Sequence, residues 1–385
     1  MSGQTRALMP DYLRLIALFG IVVVNVQFMA FSLLSGLATP VAETTAEMVT
    51  LWLVDGLALF KSYSLFSFMF GVGLGFLMRS AARNGHAFSK LYRNRMIGLF
   101  LFGVLHGCLF FPGDILLVYS VTGSILYLMR NWQPGRLTKL GAVLVILPTL
   151  AFASFVSSPG EMPEDIVALE RQVMTTGSLV ETIGFRAIAY AVMSPFVLIF
   201  QGVAALGWFC LGLAAVKSGL IDNSDDPVWT RARRWCLVPG VGFSLLASWL
   251  LHAHGITAAS AVLLIAAPVS TLGYLGAIAA ISRPPGPVLS RFLAAGGSSL
   301  SVYLGQSIIL STMFSSYGLG LWDAVPRPQV VLIAIAVTCG LIVALVFWRS
   351  AFRLGPFEWV LRRITYAGQG GRGATGRTST RRSHS

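Results

Sequence analysis

The chain has 385 residues, 55% of them hydrophobic and only 11% charged, and its mean hydropathy is +0.75. Soluble domains carry about 25% charged residues, so most of this chain must face lipid or other apolar helices. The formal charge of +13 gathers between apolar runs and in the C-terminal tail, which is the pattern of cytoplasmic loops and not of a nucleic-acid surface. Cys108, Cys210, Cys236 and Cys339 lie far apart and give neither a disulfide framework nor metal-ligand spacing, so no metal is expected.

In chain order, the first apolar run covers about 12–35. Asp11 and Arg14 open it, and it exceeds the roughly 7–15 residues of a leader's apolar core, so it reads as a span and not as a signal peptide. The second run, 46–78, is too long for one straight crossing and is interrupted by Asp55 and Lys61; it reads as an outer segment leading into one span. Spans follow at about 95–111, 114–130 and 138–157. Residues 158–183 are polar and acidic and read as an outer loop. The run 185–216 predicts a long span kinked at Pro195 or near Gly202. Further spans fall at about 235–252, 257–281, 296–315 and 329–348. Lys and Arg crowd alternate loops, so the sequence predicts an all-α membrane protein with about ten transmembrane helices and both termini cytoplasmic. Residues 1–157 and 184–366 form its two five-span halves, and 367–385 reads as a disordered basic tail.

Ionisable groups inside such spans are costly and are functional candidates by default. Asp11 and Arg14 can pair three residues apart on one helix face, and Asn25 returns to nearly the same face. Arg95 and His106 share a face of the third span. Asp114 follows the Pro112–Gly113 reversal, where it can cap the next helix, orient His106, or do both. Gly71 with Gly75 and Gly103 with Gly107 form small-residue faces through which the second and third spans could meet, bringing Lys61 toward His106. Ser299, Tyr303 and Gln306 occupy one helix face and can bind a substrate or another span. His252 and His254 lack a third metal ligand. There is no P-loop, no dinucleotide fingerprint and no nucleophile elbow.

Several of these segments together resemble the YeiB family of bacterial inner-membrane proteins over nearly the whole chain. They are Asp11 to Arg14 with Asn25, Lys61 to Gly73, Gly103 to His106, Gly113 to Tyr119, Gly297 to Ser307, Tyr317 to Leu321 and Leu354 to Trp359. The chain departs from that pattern at Leu15, where the family has glycine, and at Pro112, where it has an aromatic residue. The N-terminal half is more distantly similar to transmembrane acyltransferases typified by heparan-alpha-glucosaminide N-acetyltransferase. That second resemblance implies an acyl group taken from cytoplasmic acyl-CoA and passed to a small-molecule, glycan or lipid acceptor at the outer side. His106 would be the base and Asp114 its helper. Lys61 or Asn25 would steady the oxyanion, and Arg93 and Arg95 would meet the CoA phosphates. A transporter or lipid-handling protein in the inner membrane is the alternative.

Overall fold

The computed structural model describes residues 7–36, 42–156 and 163–368. The tail expected to be disordered lies, from residue 369 on, outside them. Among the described residues the chain is helical throughout, with no strand.

Helix α1 (Met9–Ala30) carries Pro10 in its first turn, where the missing amide hydrogen costs nothing. After the short α2 (Leu33–Gly36), α3 (Thr45–Leu57) begins with Thr44 accepting from the Glu47 amide at 3.2 Å. Helix α4 (Lys61–Asn84) follows a break at Ala58–Phe60, where Phe60 takes a left-handed φ of 64°. Helices α5 (Phe88–Leu109) and α6 (Leu116–Leu128) form a hairpin around Pro112 and Gly113. Then come α7 (Pro134–Val156) and α8 (Glu164–Thr176), the latter within the stretch expected to be a loop. Where a kink was expected, a π-helical turn, Leu198–Gly202, joins α9 (Leu179–Val197) to α10 (Val203–Lys217), one turn beyond Pro195. Helices α11 (Pro227–Ala232) and α12 (Val238–His254) join through a second π turn, and α13 (Ala259–Ile281) follows. Helices α14 (Pro287–Gly296) and α15 (Ser299–Phe314) meet at 73° across Gly297 and Ser298. Helix α16 (Arg327–Ala351) precedes an amphipathic α17 (Pro356–Thr365).

Seven of these helical stretches are long and apolar enough to cross a membrane, or eight if α14 and α15 count as one bent span. The predicted ten included α5 and α6. Helix α6 has 13 residues and extends about 20 Å, short of a hydrocarbon core of about 30 Å. The first turns of α5 carry Lys90, Arg93 and Arg95, which shortens its apolar run.

The two small-residue faces do not meet each other. Side chains added at Gly71 and Gly75 would collide with Phe209 and Val216, so that face packs on α10. Gly103 lies against Asp114 and Leu117, and Gly107 against the Tyr190 ring of α9. The small residues of each helix face a different neighbour, so the packing through which Lys61 was expected to approach His106 is not formed.

Candidate functional site

The reversal between α5 and α6 sets a buried histidine against a buried carboxylate. His106 Nδ1 lies 2.8 Å from Asp114 Oδ1, and both residues are 2% exposed. The other carboxylate oxygen accepts from the Leu117 amide at 2.9 Å and from the Tyr190 hydroxyl at 3.5 Å. Asp114 therefore fills both roles the sequence allowed: it satisfies an amide at the start of α6 and it orients the imidazole. An ionised Asp114 makes Nδ1 the protonated nitrogen and leaves Nε2 with its lone pair. His106 Nε2 is buried and has no hydrogen-bond partner. Such orphans are rare in folded interiors and call for an explanation.

A second orphan lies beside it. The Tyr303 ring centroid is 5.1 Å from that of His106, tilted by 48°. The Tyr303 hydroxyl is buried and unpartnered; the Ile115 amide lies near it without good hydrogen-bond geometry. Tyr303 forms part of the wall of a cavity of about 390 Å³. The wall is apolar at Phe66, Phe70 and Leu99, and it carries Arg14, Arg95, Arg362 and Glu358. His106 is not on that wall; Tyr303, whose ring packs against it, is. Arg14 makes the predicted ion pair with Asp11 at 3.2 Å. Glu358 accepts from the amides of Leu300 and Ser301 at 2.7 and 3.0 Å and from the Ser301 hydroxyl at 2.5 Å, so it caps α15 from α17.

The remaining candidates divide. Ser299 lines the same cavity, one helical turn from Tyr303. Gln306 does not: its side-chain amide donates to Thr338 Oγ1 at 2.8 Å and toward the Leu18 carbonyl at 3.5 Å, tying α15 to α16 and α1. Arg93 opens on a separate pocket with Lys90, Ser124 and Tyr127, and Tyr92 separates that pocket from the cavity. Asn25 is half-buried on α1, and among the described residues no hydrogen bond joins it to His106 or Asp114. Lys61 is fully buried and donates to the Asp55 carbonyl at 2.9 Å; the Asp55 carboxylate pairs with His252 Nε2 at 2.8 Å. Lys61 and His252 thus form a second polar cluster. Among the described residues no group of three metal-ligating side chains occurs.

Two buried side chains of α9 escaped the sequence reading. Tyr190 reaches Asp114, and Arg186, one turn earlier, donates to the Leu109 carbonyl and the Tyr317 hydroxyl at 3.1 Å and to Ser315 Oγ at 2.6 Å. A lone arginine inside an apolar run was the available signal. Glu170 of α8 is also buried and holds the start of α2: it accepts from Ser32 Oγ at 2.5 Å and from the Leu33 and Leu34 amides at 2.9 and 3.3 Å.

Comparison with known proteins agrees with this architecture. Residues 215–368 match a family profile described as "Protein of unknown function (DUF418)". The chain is 32% identical to the uncharacterized protein YxaH of Bacillus subtilis over 327 residues, covering 80% of this chain and 79% of that one. It is 28% identical to the uncharacterized protein YeiB of Escherichia coli over 385 aligned residues, 94% and 96% of the two chains. It is 23% identical to a 39.9 kDa protein of Bacillus acidopullulyticus, over 92% of each. No solved structure matches. An all-helical chain with these spans, aligned nearly end to end with those proteins, belongs to the YeiB-like family whose members carry the DUF418 domain.

Proposed function

We propose that this chain is an inner-membrane acyltransferase that takes an acyl group from cytoplasmic acyl-CoA and passes it to a small-molecule, glycan or lipid acceptor at the outer side. The observation that carries the reading is the pair of orphan polar atoms, His106 Nε2 and the Tyr303 hydroxyl, beside a cavity whose wall also holds Arg14, Arg95 and Arg362. Cationic side chains suit the phosphates of CoA, and apolar walls suit an acyl-bearing arm. Arg95 precedes His106 by eleven residues on α5, a rise of about 16 Å. An extended pantetheine arm has similar reach, so phosphates at the arginines would bring the thioester toward His106. His106 would then remove a proton from the acceptor as it attacks, with Asp114 holding the ring and stabilising the imidazolium. Both termini are cytoplasmic in this arrangement.

The test is release of free thiol from acyl-CoA by purified protein in lipid nanodiscs. Turnover by wild type, abolished in His106→Ala with acyl-CoA binding kept, is the result this reading requires. A wild-type rate equal to that of His106→Ala would remove its basis.

One observation favours a second reading, transport. Helices α14 and α15 form a bent pair interrupted at Gly297, and Gly297 and Ser299 lie on the cavity wall. Broken spans beside a cavity are a feature of secondary transporters. That reading requires no affinity for CoA.

A further inference from the structure

We infer that Tyr303 donates the hydrogen bond that stabilises the thioester oxygen during acyl transfer at His106; the assignment rests on the acyl-transfer reading above. A tetrahedral intermediate at a thioester needs a donor aimed at its oxygen in a water-excluded site. Of the two donors expected for this task, Asn25 is half-buried on α1 and makes no hydrogen bond to His106 or Asp114 among the described residues. Lys61 is committed to the Asp55 carbonyl in a separate cluster. The start of α15 presents amides toward the cavity, but Leu300 and Ser301 already donate to Glu358. The other buried tyrosines on the cavity wall are also satisfied: Tyr92 donates to the Gly123 carbonyl at 2.8 Å, and Tyr119 to the Tyr63 carbonyl at 3.3 Å. Tyr303 alone among the described tyrosines has a buried hydroxyl with no partner, and it is the one whose ring lies against His106.

The chemistry balances with these two side chains. His106 Nε2 takes the proton of the acceptor X–H as X bonds to the thioester carbon, and the carbonyl electron pair moves to oxygen, where the Tyr303 O–H donates. Collapse of the intermediate breaks the C–S bond, and the proton on His106 passes to the leaving thiolate. The products are acyl-X and free CoA thiol, and Tyr303 keeps its proton throughout. Ser299, one turn along the same helix face, lines the approach of the arm.

The test is difference infrared spectroscopy of acetyl-CoA labelled with ¹³C at the thioester carbonyl and bound to the full-length protein in nanodiscs. In wild type the carbonyl stretch should fall to lower wavenumber on binding. Tyr303→Phe should lose that shift, bind acetyl-CoA within about threefold of wild type, and release thiol about 10²-fold more slowly. Its thermal midpoint should not fall, because the hydroxyl removed had no partner. Lys61→Met should keep the shift, and 3,5-difluorotyrosine at position 303, a stronger donor, should enlarge it. An identical shift in wild type and Tyr303→Phe, or an unchanged rate of thiol release, would overturn the assignment while leaving the role of His106 standing. No acetyl-CoA binding by wild type would overturn the acyl-transfer reading itself, and this assignment with it.

Discussion

Asp114 holds His106 Nδ1 at 2.8 Å with one oxygen and the Leu117 amide at 2.9 Å with the other. One carboxylate thus ties the geometry of a helix start to the tautomer of a histidine. Asp114→Asn separates the two tasks. Its carbonyl oxygen can still accept from an amide, but it cannot stabilise an imidazolium as a carboxylate does. Thiol release should fall by about 10²-fold or more, in the range of general acid–base contributions, with the thermal midpoint within a few degrees of wild type. Asp114→Ala should lose activity to a similar extent and also destabilise by about 1 kcal/mol through loss of the capping bond. Activity in Asp114→Asn equal to wild type would mean the carboxylate only caps α6.

Lys61→Met tests the division between the two polar clusters. Lys61 is fully buried and bonded to the Asp55 carbonyl, so Lys61→Met leaves that carbonyl without its donor and should cost about 1–3 kcal/mol of stability without touching the His106 cluster. Acyl-CoA binding and thiol release should stay within about twofold of wild type. A hundredfold loss of turnover with intact folding would place Lys61 in the reaction after all.

Gly107→Ala tests the packing that presents Tyr190 to Asp114. A methyl group there would run into the Tyr190 ring. Overpacking of this kind costs about 1–3 kcal/mol, so the thermal midpoint in nanodiscs should drop. Tyr190→Ala in the same chain should recover part of the loss. Additive losses in the double variant would show that the two residues do not press on each other.

Glu170 gives the contact between α8 and the start of α2 a pH dependence. Burial pushes its carboxyl above the ordinary value of 4.5, against the opposing donors Ser32, Leu33 and Leu34. A carboxyl raised in the folded state binds more protons folded than unfolded within the window between the two values, so stability falls as pH rises through it. Hydrogen exchange at the amides of Leu33 and Leu34 should therefore slow, after correction for intrinsic rate, as pH is lowered from 7 toward 5. Glu170→Gln should remove that dependence. A wild-type profile that is flat or opposite in sign would contradict the assignment.

The legibility of this chain follows the range of its interactions. Most span positions were readable because apolar length is a local property, α5 and α6 being the exceptions, and so was the Asp11–Arg14 pair, set by helix periodicity. The His106–Asp114 contact was readable because the two residues are eight apart and flank one Pro-Gly reversal. In the stretch 185–216, Pro195 and Gly202 marked where the helix departs from regular α geometry, as a π-helical turn at Leu198–Gly202. What failed was long-range. Glycine spacing showed that α4 and α5 each approach something closely, but not that α4 chose α10 and α5 chose α6 and α9. Arg186 and Tyr190 come from a distant helix, and no spacing within α5 or α6 announces them. Gln306 looked like a binding residue because helix faces read the same whether they meet a ligand or, as here, Thr338.

The central claim is that a CoA thioester enters the cavity that Tyr303 lines. Calorimetric titration of acetyl-CoA into the full-length protein in nanodiscs tests it most directly, with Arg95→Ala/Arg362→Ala and His106→Ala as companions. The account expects saturable binding by wild type, weakened at least tenfold in the double arginine variant and little changed in His106→Ala. No heat of binding in wild type, or equal affinity in the arginine variant, would contradict it.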